Sequence, residues 1–96
     1  MTINGLLPVG SVVMLKNSNH RVMIIGVCQV SEVEKKAYEY VGCLFPEGYL
    51  NSETLYLFNG EKIDRIYSMG CQDTEALDFM GKADNVMEKL RARYGE

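Results

Sequence analysis

Residues 21–30 read RVMIIGVCQV, and this stretch decides the fold class. It is dense in β-branched and apolar side chains, and a second run of the same kind, SVVMLK, occupies residues 11–16. The Asn and Ser residues of NSNH between them supply turn chemistry, so the pair is predicted to form a β-hairpin. Simple alternation puts Val22, Ile24, Cys28 and Val30 on one face and Met23, Ile25 and Val27 on the other. Both faces are apolar, so both are expected to be covered. Gly26 interrupts the run, where a missing side chain marks a bulge or the close approach of another backbone. A bent, barrel-like sheet is the expected consequence.

Outward from this hairpin, a charged segment, SEVEKK, precedes a third strand at residues 37–44, and TLYLF at residues 54–58 reads as a fourth. NGE is a turn signal before a fifth strand at residues 62–69. Five short strands over about residues 6–70 predict a five-stranded antiparallel meander or a small SH3-like barrel. No segment before Asp73 carries helix-starting chemistry. From Asp73 the pattern changes: an N-cap residue, Glu75 and Asp78 in the early turns and Arg91 and Arg93 in the last predict a helix over residues 74–94. The whole, residues 1–96, is read as one α+β domain.

The predicted helix carries an apolar stripe at Ala76, Met80, Ala83, Met87, Leu90 and Tyr94, widened by Phe79 and Val86. Such a stripe closes its own sheet, and its small residues and adaptable methionines can also seat a partner helix. These six residues are therefore candidates for partner binding. Gly81, inside the helix, costs about 1 kcal/mol relative to Ala, so a packing reason or a slight bend is expected there.

The net charge is −3, and the ten Lys and Arg residues are scattered, which leaves no electrostatic footprint for nucleic acid. The N-terminal sequence has no signal-peptide pattern and no stretch approaches a membrane span, so a cytoplasmic protein is expected. Cys28, Cys43 and Cys71 are odd in number and widely spaced, which argues against disulfides or zinc. Thiol catalysis would need one of them to meet His20, the single histidine. Glu32, Glu34, Glu61, Asp64, Asp73, Glu75 and Asp78 fall in charged loops, at turns or at the helix start, where solvation and capping account for them. With no P-loop, Rossmann fingerprint or metal-ligand spacing, no cofactor and no enzymatic activity are expected. Tyr38, Tyr40, Tyr56 and Phe58 could share a sheet surface, but without interleaved Lys and Arg they read as a half-buried or protein-contacting face.

CLFPEGYLN, residues 43–51, reads as a corner. Pro46 suits position i+1 of a type I turn with Gly48 at i+3; alternatively Glu47 and Gly48 centre a type II turn, with Gly48 supplying positive φ. Phe45, Pro46, Gly48 and Tyr49 are candidates for a turn with an aromatic surface.

LPVGSVVMLK (residues 7–16), RVMIIG (21–26), EYVGCLFPEGYL (39–50) and YLFNGEKIDRIYSMG (56–70) together resemble a small domain-of-unknown-function family of Gram-positive bacteria. Its members often sit in loci for type VII secretion, beside LXG-type toxins. Phe45 stands where the family usually has Tyr, at the cost of a hydroxyl. The resemblance implies an accessory role and brings no catalytic residues: a cytoplasmic adaptor or chaperone whose protein partner is a helical segment of a secreted toxin. The alternatives are an immunity protein against a toxin domain, and a thiol-dependent hydrolase using His20 with Cys28, Cys43 or Cys71. A Y-x-x-x-E string, Tyr49 to Glu53, follows a mid-chain turn instead of a helical hairpin and is read as coincidence. A homodimer is also compatible with apolar residues on both faces of the second strand.

Overall fold

The two opening apolar runs pair with each other through Val12↔Met23, Val13↔Val22 and Met14↔Arg21, the hairpin that their turn residues predict. A computed structural model describes residues 5–94. Among the described residues the chain forms β1 (Val12–Leu15), β2 (Arg21–Ser31), β3 (Lys36–Phe45), β4 (Tyr56–Phe58), β5 (Ile63–Ser68) and α1 (Thr74–Tyr94). The strands make one antiparallel sheet in the order β4-β3-β2-β1-β5. The expected α+β fold is therefore present, but its last step departs from a plain meander. β5 crosses back to pair with β1 through Val13↔Ile66 and Met14↔Arg65. The NGE segment thus begins a crossover, and Gly60–Lys62 forms a 3-10 turn within it.

Gly26 does mark a bulge: the β2–β3 register shifts between Ile24 and Gly26. A one-residue shift exchanges the faces of everything beyond it. Val27 accordingly packs on the core with Val22 and Ile24, contrary to the unbroken alternation, while Ile25 is exposed. Cys28 then takes a positive φ of 56°. At Gly42 another backbone comes close; an added Cβ would overlap Val22 Cγ1 and lie 3.0 Å from the Met23 carbonyl oxygen.

The core consists of Leu7, Val13, Val22, Ile24, Tyr40, Phe58 and Ile63. Each fully buried aliphatic side chain contributes about 1.5–3 kcal/mol. The register Tyr40↔Phe58 and Gly42↔Tyr56 puts the four aromatics on one face of the sheet; Tyr40 and Phe58, with ring centroids 5.4 Å apart, are interior there, while Tyr56 is exposed. Leu7 comes from the segment before β1. Its N–H donates to the Tyr40 hydroxyl at 2.8 Å, and the neighbouring Leu6 N–H donates to Asp84 Oδ1 at 3.0 Å. Buried Ser11 ties the same segment to the connection between β5 and α1: its hydroxyl donates to the Pro8 carbonyl and accepts the Gly70 N–H.

Helix-starting chemistry does occur before Asp73. Asn51 accepts hydrogen bonds from the Glu53 and Thr54 N–H groups and caps a 3-10 turn at Ser52–Thr54, which shortens the fourth strand to three residues. At α1 the expected cap is present, with the Ala76 N–H donating to Asp73 Oδ1 at 2.9 Å. Gly81 is exposed, and an added Cβ there would meet nothing within 4 Å, so it has no packing role.

Candidate functional site

The register Arg21↔Phe45 brings the start of β2 and the end of β3 together at one end of the sheet. Beyond Phe45 the chain turns sharply. The Phe45–Pro46 peptide is cis. The Gly48 N–H closes the corner on the Leu44 carbonyl at 2.7 Å, not on the Phe45 carbonyl that a type I turn with Pro46 at i+1 would use. Gly48 has φ +83°, the positive value that the second turn version requires of a glycine. Tyr49 and Leu50, 63% and 55% exposed, face solvent and do not fold back on the core.

This corner holds an arrangement that the local sequence does not announce. Glu47 reaches the turn before β2, where His20 Nε2 lies 2.9 Å from Glu47 Oε1. The hydrogen bond from His20 lowers the Glu47 carboxyl below the usual range, with the Arg21 charge a smaller contributor. The Arg21 guanidinium lies 5.1 Å from the Phe45 ring centroid and 5.6 Å from that of Tyr67. Arg65 lies 5.8 Å from the same Tyr67 ring, and its Nη1 donates to the Tyr67 hydroxyl at 3.5 Å. Two arginines thus share one tyrosine. Of the anticipated corner residues, Phe45 takes part directly and Pro46 and Gly48 shape the bend. His20, Arg21, Arg65 and Tyr67 were not anticipated here, and only the β2–β3 and β1–β5 registers could have placed them.

The helix stripe lies elsewhere. Met80, Ala83 and Met87 are buried and Ala76, Leu90 and Tyr94 half-buried, so the middle of the stripe faces the body of its own domain. Glu39, which the sequence did not single out, fastens the helix: it pairs with Arg91 through one oxygen and accepts the Gly60 N–H at 2.5 Å through the other. Asn59 Oδ1 accepts the Glu39 N–H at 2.9 Å. What α1 leaves exposed is Leu77, Phe79 and Val86. Leu77 borders an apolar groove of about 270 Å³ between residues 6–8, Met69 and the first turns of the helix.

The thiols are dispersed. Cys43 is buried in β3, Cys71 is exposed before α1, and half-buried Cys28 donates to the Ala83 carbonyl at 3.3 Å. Burial pushes the Cys28 thiol up, and the Asp84 carboxylate adds to the effect, both favouring the protonated form. The hydrogen-bonding partner of the His20 ring is Glu47 and not a cysteine. Among the described residues no group of three or more His, Cys, Asp or Glu is placed to hold a metal ion. No helix among them is long and apolar enough to cross a membrane.

Residues 6–79, the whole sheet and the first part of α1, match a family described as a domain of unknown function, DUF4176. The chain belongs to the DUF4176 family. In this DUF4176 protein the matched span contains the corner, both of its arginines and Glu39, whereas Ala83, Asp84, Met87 and Arg91 lie beyond it. No curated protein and no solved structure matches the chain.

Proposed function

We propose that this DUF4176 protein is a non-catalytic binding protein, a cytoplasmic adaptor or chaperone that holds a helical segment of a secreted LXG-type toxin before export by type VII secretion. The secretion context comes from the sequence resemblance. The observation that supports helix binding is the exposure of Phe79 and Val86, 52% and 46%, on a helix whose main stripe is already buried. Residues seven apart lie on one line of a helix, the spacing that a partner helix meets in a coiled-coil seam. Exposed Lys82 and Lys89 flank that line and offer charges to a partner's acidic positions. The proposed contact thus extends from the half-buried part of the stripe at Ala76–Tyr94 to its outer edge.

The test is co-expression of the tagged protein with the proteins encoded beside it, followed by capture. The expected result is a stable complex with the helical part of a toxin, lost in a Phe79→Glu, Val86→Glu variant whose thermal melt is unchanged. No complex with any neighbour, or a complex indifferent to both substitutions, overturns the proposal. Capture through the toxic end, with protection of cells producing that domain, would instead identify an immunity protein.

A further inference from the structure

Among the described residues the ion pairs are His20–Glu47 and Arg91–Glu39, so Arg21 and Arg65 are left with aromatic and hydroxyl contacts in a chain of net charge −3. Glu47 lies within the field of Arg21, but its hydrogen bond goes to His20. The Arg21 guanidinium lies over the Phe45 and Tyr67 rings and that of Arg65 over Tyr67, and a guanidinium fork donates to a carboxylate in bidentate fashion.

Beside these groups runs the free edge of β5. This strand ends the sheet order, is six residues long and, among the described residues, pairs on one side only, with β1. Asp64, Arg65, Tyr67 and Ser68 are exposed along it. An unpaired edge of this length is a template for an added strand, held by main-chain hydrogen bonds about 4.8 Å away and selected by alternate side chains. The opposite edge, β4, has three residues and offers far less.

We infer that the β5 edge docks an extended, acidic segment of a partner protein, whose carboxylates at alternate positions meet Arg65 and Arg21 on the face that carries Phe45 and Tyr67. Asp64, on the same strand, sets the register, because a carboxylate opposite it is repelled. A second copy of this chain is the poorer occupant. Edge-to-edge pairing about a two-fold axis would bring both copies' arginine pairs onto one face of a continuous sheet, like charge beside like charge. This surface lies on the sheet, and the inference does not rest on the helix-binding role of Phe79 and Val86.

The experiment titrates the full-length protein into a labelled peptide of about ten residues alternating Glu and Thr, followed by fluorescence anisotropy at about 50 and 300 mM salt. Saturable binding that weakens with salt is expected. Arg65→Gln and Arg21→Gln should each reduce affinity about tenfold, the loss of one charge-assisted contact, with unchanged thermal melts. Arg65 is exposed, so its variant remains informative if Arg21→Gln melts early. Methylating the peptide's backbone nitrogens along one edge should abolish binding, and Phe79→Glu, Val86→Glu should leave it intact. Four results would overturn the inference: no saturation by about 1 mM, equal binding of a peptide of the same length alternating Lys and Thr, equal competition by inorganic phosphate, or concentration-dependent dimerisation that Arg65→Gln disrupts.

Discussion

Replacing Tyr40 by phenylalanine removes one oxygen from the centre of the molecule and tests how the segment before β1 is held. Tyr40 is 1% exposed, and its hydroxyl accepts the Leu7 N–H at 2.8 Å. The ring and its contact with Phe58 survive the substitution, but the Leu7 N–H loses its acceptor in a buried setting. An unsatisfied buried donor costs about 1–3 kcal/mol. At a urea slope of about 1 kcal/mol per molar, the unfolding midpoint should fall by about 1–3 M.

The same residue carries a pH signature. Burial, first among the causes, pushes the Tyr40 hydroxyl from its ordinary 10.0 up to about 12. Below pH 10 the phenol is protonated in both folded and unfolded chains, and its contribution is fully present. Between pH 10 and 12 the unfolded chain loses this proton while the folded one keeps it, so stability falls as pH rises through the window, by up to about 3 kcal/mol. Other tyrosines and lysines also titrate there, so the informative quantity is the difference between wild type and Tyr40→Phe. Urea titrations at pH 7, 10, 11 and 12 measure it, with wild type expected to lose its advantage over the variant toward pH 12. Equal midpoints at pH 7, or parallel curves from pH 10 to 12, would refute the assigned role of this hydroxyl.

Gly81→Ala should stabilise the protein by about 1 kcal/mol, because the position is exposed and the new methyl meets nothing; calorimetry should show a melting temperature about 4–8 °C higher, and no rise would contradict the account. Gly48→Val should destabilise by about 1–3 kcal/mol through its φ of +83° alone, since no atom lies within 4 Å of the added Cβ; Gly48→Asn should cost less in the same denaturation assay. Gly42→Ala should cost about 1–3 kcal/mol by overlap with Val22, and the two substitutions should be non-additive in a cycle with Val22→Ala.

The bulge and the helix show how much is legible locally. Gly26 announces a kink by lacking a side chain, and the kink is there; the direction in which Val27 then points depends on where β3 accepts the shift, between Ile24 and Gly26. The helix bounds, 74–94, follow from Asp73 as cap and the change of period, because capping and periodicity act over a few residues. Its stripe was equally legible, yet whether it met a sheet or a partner was not, since an amphipathic face does not name what covers it.

The sequence by itself determined the element types, the hairpin of β1 and β2, the corner at residues 45–48 and the membership of residues 6–79 in the DUF4176 family. These rest on interactions between chain neighbours, or on patterns read in order. The tertiary structure alone decided that β5 returns to β1, that Glu39 fastens Arg91 and the Gly60 N–H, and that His20 meets Glu47 beside two arginines on one tyrosine. The Glu39–Gly60, His20–Glu47 and Glu39–Arg91 contacts join residues 21 to 52 positions apart, and similar polar side chains could have paired otherwise. Burying Leu7, Val13, Val22, Ile24, Tyr40, Phe58 and Ile63 together fixes the strand order, and the strand order then brings the charged groups together.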